Sequence, residues 1–226
     1  MKFTYYGHSC FSVEIKGKHL LFDPFITYNE LAKHVDANTV PADYILVSHG
    51  HEDHVADLVS IAKRTGALVI CAWEIYLWLQ KQGVENVHPM NMGGKKSFDF
   101  GTVKCVVAQH SGGLPDGSYG GNPMGFVIRT DKKSFYYSGD TALTMEMQLV
   151  SQGGAIDFSV LPIGDNFTMG YEDAARAAHM INCHTVVGVH YNTFPYIVMD
   201  TVYAKDHFSK NGLSLLLPAV GESINL

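Results

Sequence analysis

The chain has 226 residues, of which 46% are hydrophobic and 17% charged, and its formal net charge is −6 at pH 7. This composition is typical of a globular protein with a buried core and excludes a disordered chain. The acidic balance, with Lys and Arg clustered only in pairs, argues against nucleic-acid binding. No low-complexity linker divides the sequence, so we expect one domain over residues 1–226.

Strand-like and helix-like segments alternate along the chain, which predicts an α/β fold. A β-hairpin is expected over residues 3–22, followed by buried strands at the apolar runs 44–47, 103–108, 134–139, 157–161 and 185–189. Helical spacing of apolar residues predicts helices over 54–64, 73–82, 143–151, 171–182 and 201–210. Periodicity alone supports an α/β fold with several strands.

The most informative stretch lies between the strand at 44–47 and the helix that follows it. It contains His49, His51, Asp53 and His54, and imidazole and carboxylate are ligands that suit zinc, manganese and iron. His49 and His51 are two positions apart, so an extended turn can aim both at one ion. Asp53 and His54 stand at the start of the helix and point elsewhere. We therefore predict a centre of two metal ions.

Three further potential ligands each follow a predicted strand. His110 follows the run 103–108, Asp140 follows the run 134–139, and His190 follows the run 185–189. An open sheet presents side chains at the carboxyl ends of its strands. The three residues are therefore candidates to complete the coordination of both ions.

These residues resemble the signature of the metallo-β-lactamase superfamily, in which a His-x-His-x-Asp-His turn precedes a lone His, an Asp and a final His. All seven positions are filled. The segments GHSCF, FDPF, YSGDT and HYNTFP resemble one branch, the bacterial and archaeal metal-dependent hydrolases related to L-ascorbate-6-phosphate lactonase. The resemblance covers nearly the whole chain and implies a four-layer αββα sandwich.

The resemblance also implies a dinuclear centre of two divalent metal ions, with zinc expected and manganese or iron as alternatives. A hydroxide that bridges the two ions would attack the substrate. The implied ligands are His49, His51 and His110 for the first ion, Asp53, His54 and His190 for the second, and Asp140 as the bridge.

The expected function is that of a metal-dependent hydrolase that cleaves a small lactone, ester or amide. A phosphodiesterase of the same fold is one alternative, but Arg129 and Arg176 are the only arginines near the ligands in sequence, which favours a neutral carbonyl substrate. A non-catalytic sensing or scaffold protein is another. A structural zinc site usually contains cysteine, and no cysteine takes part here, which favours catalysis.

Five residues outside the metal signature, namely His8, Asp23, Asp57, Asp165 and Asn166, have two interpretations each, and Asp53 is assigned a catalytic role in addition to metal binding. The branch resemblance implies that His8 lies near the metals as a proton donor to the leaving group or a substrate contact; the alternative is a turn histidine bonded to backbone. Asp23 accepts an imidazole N–H from a metal ligand, or caps a turn. Asp57 supports a ligand from the same helix face, or is a solvated acid in the first helical turn.

Asp165 and Asn166 follow the strand at 157–161 and are either substrate contacts and supports for a ligand or a plain turn pair. The glycine-rich loop, residues 112–123, lacks the spacing of a phosphate-binding loop. It is either a mobile lid or pocket wall, or an ordinary connection.

The remaining expectations concern compartment and partners. Four widely spaced cysteines without a Cys-x-x-Cys pair predict buried free thiols. The sequence contains no signal-peptide pattern and no long apolar run, so we expect a cytoplasmic protein without membrane contact. The expected partner is a small-molecule substrate, and the lactonase resemblance also suggests a homo-oligomer.

Overall fold

Two seven-stranded mixed sheets form the framework of the protein, and each belongs to a separate part of the chain. The computed structural model describes all 226 residues. Unit 1 consists of Met1–Asn91, Ser111–Pro123 and Pro218–Leu226, and unit 2 consists of Met92–His110 and Met124–Leu217. Each unit has its own sheet and its own helices, which confirms the predicted α/β class.

The sheet of unit 1 combines an antiparallel half with a parallel half. Its strands are β1 (Lys2–Gly7), β2 (Cys10–Ile15), β3 (Lys18–Phe22), β4 (Tyr44–Leu46), β5 (Leu68–Cys71), β6 (Val87–Pro89) and, at the end of the chain, β14 (Ser223–Asn225). Their order is β14-β1-β2-β3-β4-β5-β6. Strands β1 to β3 pair antiparallel, so the segment predicted as a hairpin contains three strands, whereas β3 to β6 pair parallel. Phe11 stacks on Phe22 with ring centroids 4.5 Å apart.

The helices of unit 1 are α1 (Glu52–Val55), α2 (Leu58–Thr65) and α3 (Trp73–Lys81), with short 3-10 turns at Glu30–Ala32 and Ala37–Thr39. The prediction of one continuous helix over 54–64 is therefore wrong, because the helix is interrupted between α1 and α2. Asp57 lies at the break with φ −100° and ψ 1°, and its N–H donates to the carbonyl of Pro24 at 3.0 Å. This long-range bond replaces a helical one.

The sheet of unit 2 has the same division into an antiparallel and a parallel half. Its strands are β7 (Lys95–Ser97), β8 (Thr102–Val107), β9 (Met124–Arg129), β10 (Ser134–Tyr137), β11 (Phe158–Pro162), β12 (Thr185–Val189) and β13 (Ser214–Leu216). Their order is β13-β12-β11-β10-β9-β8-β7. Strands β10 to β13 run parallel, and the register places Phe135 beside Phe158, whose rings stack at 4.9 Å.

The helices of unit 2 are α4 (Tyr171–Ile181) and α5 (Thr201–Lys210), with 3-10 helices at Met145–Gly153 and Pro195–Ile197. The α-helix predicted over 143–151 is instead the first of these 3-10 helices. Arg129 donates to the carbonyl of Val150 at 3.1 Å. The N–H of Gly154 donates to the carbonyl of Ser151, three residues earlier, at 3.0 Å, which is the hydrogen-bond spacing of a 3-10 helix. No helix of the protein has both the length and the apolarity that crossing a membrane requires.

All four cysteines are buried and none forms a disulfide, as predicted. Burial raises the pKa of the Cys105 thiol to about 12, because the thiolate is costly away from water. Burial also raises the pKa of the Cys10 and Cys183 thiols. Thiols held in this state fill space in the core and are poor metal ligands.

Candidate metal-binding site

The turn after β4 brings two imidazoles of unit 1 side by side. Ile45 and Leu46 of this strand are buried, and the N–H of the following Val47 donates to the carbonyl of Ile70 at 3.0 Å. Beyond it, His49 is buried, and its Nε2 lies 3.0 Å from Nδ1 of His51. His51 is also the N-cap residue of α1, with φ −61° and ψ 148°. The sequence spacing of two thus places both rings together, as the motif predicts.

The glycine-rich loop packs against this turn within unit 1. A Cβ on Gly50 would lie 2.9 Å from Cδ2 of Leu114 and 3.0 Å from the carbonyl oxygen of Gly113, so only glycine fits between the two histidines. Ser111 Oγ lies 3.3 Å from His51 Nε2. The loop is therefore a wall beside the imidazoles, which agrees with one of its two predicted roles.

Asp23 links two of the histidines through a buried hydrogen-bond relay. Its carboxylate accepts the N–H of Ser48 at 2.7 Å, the hydroxyl of Ser48 at 2.5 Å and Nδ1 of His54 at 2.9 Å. The hydroxyl of Ser48 donates its one hydrogen to Asp23, so the hydroxyl oxygen of Ser48 accepts from the Nδ1–H of His49 at 3.0 Å. Both imidazoles then carry their proton on Nδ1 and present the lone pair of Nε2.

Helix α1 places Asp53 between His8 and His54. Asp53 Oδ2 lies 3.0 Å from Nε2 of His8 and 3.9 Å from Nε2 of His54. His8 is buried in the turn between β1 and β2, with φ +54°, and its carbonyl accepts the hydroxyl of Tyr5 at 3.0 Å. The carbonyl of His8 is thus hydrogen-bonded within the turn, while its imidazole contacts Asp53, a predicted metal ligand.

The structure corrects the expectation for Asp57. Its side chain is buried rather than solvated, and it accepts the N–H of Ile26 at 2.6 Å, the N–H of Thr27 at 2.9 Å and the hydroxyl of Thr27. It contacts no predicted metal ligand. The helix break at this position turns Asp57 away from the face of α1 that carries His54, so it fastens the segment after β3 instead.

In unit 2, one carboxylate stands between two imidazoles. Asp140 Oδ2 lies 3.0 Å from Nε2 of His190 and 3.7 Å from Nε2 of His110. Asp140 and His190 are buried. Parallel pairing of β10, β11 and β12 brings the ends of β10 and β12 to the same edge, which explains why residues far apart in sequence meet.

Two hydrogen bonds between the neighbouring residues of His110 and Asp140 hold these side chains close together. The N–H of Gln109 donates to Oγ1 of Thr141 at 2.9 Å, and the N–H of Ala142 donates to the carbonyl of Gln109 at 3.1 Å. The segment before His110 is thereby fixed to the segment after Asp140, and their side chains are ordered without a direct strand pairing.

His190 depends on a close approach of two loops. Its φ is +55°, and a Cβ on Gly164 would lie 2.1 Å from its carbonyl oxygen, so only glycine allows the loop after β11 to pass. In that loop Asp165 and Asn166 have φ of +63° and +57°, and their side chains are exposed. The N–H of Asn166 donates to Asp165 Oδ1 at 2.8 Å. They form a turn and bond to no predicted ligand.

Three supporting residues were not identified from the sequence. Ser48, Ser111 and Thr141 each lie next to a predicted ligand in sequence and bond to a ligand or to the segment that carries one. Only Ser48 had a usable signal, since a hydroxyl beside a metal-binding imidazole is a candidate partner for its second nitrogen.

The donors fit a divalent cation in composition and geometry. Within unit 1, potential ligand atoms of His8, Asp53 and His54 lie within 4.8 Å of one another, and the same holds for Asp23, His49 and His54. Unit 2 has a cluster of its own, in which Asp140 lies beside His110 and His190. Imidazole and carboxylate sets without thiolate are typical of catalytic metal sites, and the relay from Asp23 places the protons of His49 and His54 on Nδ1 rather than on Nε2.

Comparisons with known proteins agree with this description. A family model for a beta-lactamase superfamily domain matches residues 18–191. A UPF0173 metal-dependent hydrolase from Methylacidiphilum infernorum is 50% identical over the full length of both chains, and one from Bacillus subtilis is 45% identical, also over the full length of both. The solved structure of a metallo hydrolase from Ignicoccus hospitalis matches with a TM-score of 0.88 and 34% identity, covering 99% of this chain and 97% of that one.

Proposed function

The chain belongs to the beta-lactamase superfamily, and on that premise we propose that it hydrolyses a small lactone, ester or amide at a centre of two divalent metal ions. It is a metal-dependent hydrolase with the metallo-β-lactamase fold. The observation that carries the proposal is the buried relay from Asp23 to His49 and His54, which fixes both imidazoles for metal binding.

The proposed ligand assignment follows the order of the family signature. We propose zinc as the metal, with manganese and iron as alternatives that suit the same donors. Support comes from each unit by itself, since the histidines and aspartates concerned are clustered in both. The assigned ligands are His49, His51 and His110 for the first ion, Asp53, His54 and His190 for the second, and Asp140 as the bridge.

Bound divalent ions supply an activated water and a positive charge that polarises the oxygen of the scissile bond. The residues of the chain supply positioning and a proton. Asp23 holds His54 through Nδ1, and Ser48 holds His49 in the same way. We propose that the proton on Nε2 of His8, shared with Asp53 Oδ2 at 3.0 Å, is the one delivered to the leaving group.

A neutral carbonyl substrate is favoured over a phosphodiester because both candidate arginines are engaged elsewhere. Arg129 donates to the carbonyl oxygens of Val150, Gly154 and Ala155, and Arg176 pairs with Asp173 at 2.8 Å. Neither guanidinium bonds to a predicted metal ligand. A phosphodiesterase usually neutralises its substrate with such cations.

The test is a turnover screen on the purified protein with lactone, ester, amide and phosphodiester substrates. A phosphorylated sugar lactone is included, because the relationship to L-ascorbate-6-phosphate lactonase is itself a prediction. We expect turnover of a carbonyl substrate that chelator abolishes and added zinc or manganese restores, with an unchanged far-UV circular dichroism spectrum. Turnover of phosphodiesters alone would contradict the substrate class. Unfolding on chelation without turnover would indicate a structural metal.

A further inference from the structure

Unit 2 contains a cavity of about 500 Å³ that involves none of the predicted metal ligands. Alternate residues of β8 and β9, among them Lys104, Val106 and Val127, share one face of the sheet and form its floor. The 3-10 helix Met145–Gly153 forms its wall. Small-molecule sites in proteins have volumes of this size.

The interior of the cavity is apolar. Val106 and Val127 line the floor, and Leu149 and Val150 line the wall. Leu149 is 59% exposed, so the wall presents aliphatic surface to the cavity. An apolar ligand that covered it would remove this surface from water.

The cations at the cavity lack carboxylate partners. Lys95 and Lys104 lie directly opposite each other in the β7–β8 register, where like charges destabilise a sheet. Lys104 Nζ donates to the carbonyl of Gly93 at 2.8 Å, and Arg129 donates only to oxygens without charge. Glu146 is the one acidic residue of the lining, in a chain of net charge −6.

We propose that this cavity binds a small amphipathic carboxylate. The carboxylate lies between Lys95 and Lys104, and the apolar body lies along Val106, Val127 and Leu149. An anion at this position removes the repulsion between the paired lysines, and the chain of the ligand covers the exposed leucine. This site is independent of the metal centre and of the proposed hydrolysis.

A competing explanation exists for the lysines alone. Lys95 stands on β7, the edge strand of the sheet, where lysine prevents pairing with a strand of another molecule, and Lys104 stands on the neighbouring strand β8. That explanation requires no ligand and does not involve Leu149 or the cavity, so a binding experiment separates the two.

The experiment is calorimetric titration of the full chain with decanoate below its micellar concentration. We expect saturable binding of one molecule per chain. The double variant K95Q/K104Q should weaken binding at least about tenfold, since both charge-assisted contacts are removed. The matched control is K132Q/K133Q, which changes the charge equally in the turn between β9 and β10 and should leave affinity unchanged. Leu149→Gln should weaken binding through the apolar half.

Several results would overturn the proposal. One is the absence of saturable binding by a protein whose melting curve is normal. Another is equal weakening in K95Q/K104Q and K132Q/K133Q, which would indicate attraction to net charge only. Equal affinity for decyltrimethylammonium would show that the lysines take no part. Sedimentation with phosphatidylglycerol vesicles, lost in K95Q/K104Q and without decanoate binding, would assign the lysines to a membrane surface instead.

Discussion

The two units present metal donors in different ways. In unit 1, four of the candidate ligands come from one short turn, and Asp23 orients two of them through side-chain hydrogen bonds. In unit 2, three donors come from distant parts of the sequence and meet because parallel strands end at one edge. The comparison shows that a cluster of histidines and aspartates can be specified by a local motif in one unit and by sheet topology in the other.

The position of the carboxylate also differs between the units. Asp23 lies behind its imidazoles and contacts their Nδ1 side, whereas Asp140 lies among its imidazoles, within 3.0 Å of one Nε2 and 3.7 Å of another. We therefore expect Asp23 to tune metal affinity and Asp140 to bind metal itself. Substitutions in the two units separate these roles.

The largest effect is expected for Asp140→Ala. As the proposed bridge, Asp140 serves both ions, so its removal should eliminate turnover and deplete both metals. Elemental analysis of the purified variant measures the depletion. The control is Asp165→Ala, an exposed carboxylate of the same unit that bonds to no predicted ligand. Two full equivalents of metal in the Asp140 variant would refute the bridge.

A smaller effect is expected for Asp23→Asn. The variant retains the shape of the side chain but no longer accepts from both Ser48 and His54 with a full charge. Loss of such a partner lowers metal affinity about 10- to 100-fold, which competition with a chromophoric chelator measures. If affinity is unchanged, the relay does not control the imidazoles.

Asp57→Asn provides the matched comparison within unit 1. Asp57 is also a buried carboxylate, but it bonds to Ile26 and Thr27 rather than to a histidine. We expect the free energy of unfolding of the metal-free protein to fall by about 1–3 kcal/mol, with metal affinity unchanged. Urea unfolding measures the loss. A drop in metal affinity equal to that of the Asp23 variant would remove the distinction between the two carboxylates.

The last expected effect is also on stability and concerns the glycine-rich loop that packs against the histidine turn. Gly50→Ala forces a Cβ to within 3.0 Å of the rigid Gly113 carbonyl, and we expect a loss of about 1–3 kcal/mol in stability. Gly113→Ala is the control, because nothing lies within 4 Å of its added Cβ. Thermal unfolding compares them. Equal melting temperatures for the Gly50→Ala and Gly113→Ala variants would mean that the glycine-rich loop accommodates the added Cβ without loss of stability.

The sequence was sufficient for the parts of the fold that depend on local pattern. Helix α5 has the predicted bounds, and α3 and α4 end one residue earlier than expected. The break at Asp57 was missed because its cause, bonds to residues 24–27, has no local signal. The 3-10 helix at Met145–Gly153 was predicted as an α-helix. The hydrogen bond from Arg129 to the carbonyl of Val150 had no local signal, because Arg129 is remote in sequence.

In the candidate site, too, the features that depend on local sequence pattern were predicted and those that depend on contacts between remote segments were not. The donors of the turn were evident from spacing, and Asp23 was identified because metal-bound imidazoles need a partner for their other nitrogen. The roles of Ser111 and Gly50 depend on how the glycine-rich loop packs, which no spacing encodes. Likewise, the contact of Gly164 with His190 arises only once two loops are folded.

The most direct test of the central claim is electron paramagnetic resonance during titration of the metal-free protein with Mn²⁺. Two ions in a shared centre lie about 3.5–4 Å apart, so their spins couple. We predict that the six-line signal of free Mn²⁺ stays low until two equivalents are bound and that the bound spectrum shows exchange coupling. Saturation at one equivalent, with an uncoupled spectrum, would contradict the dinuclear centre.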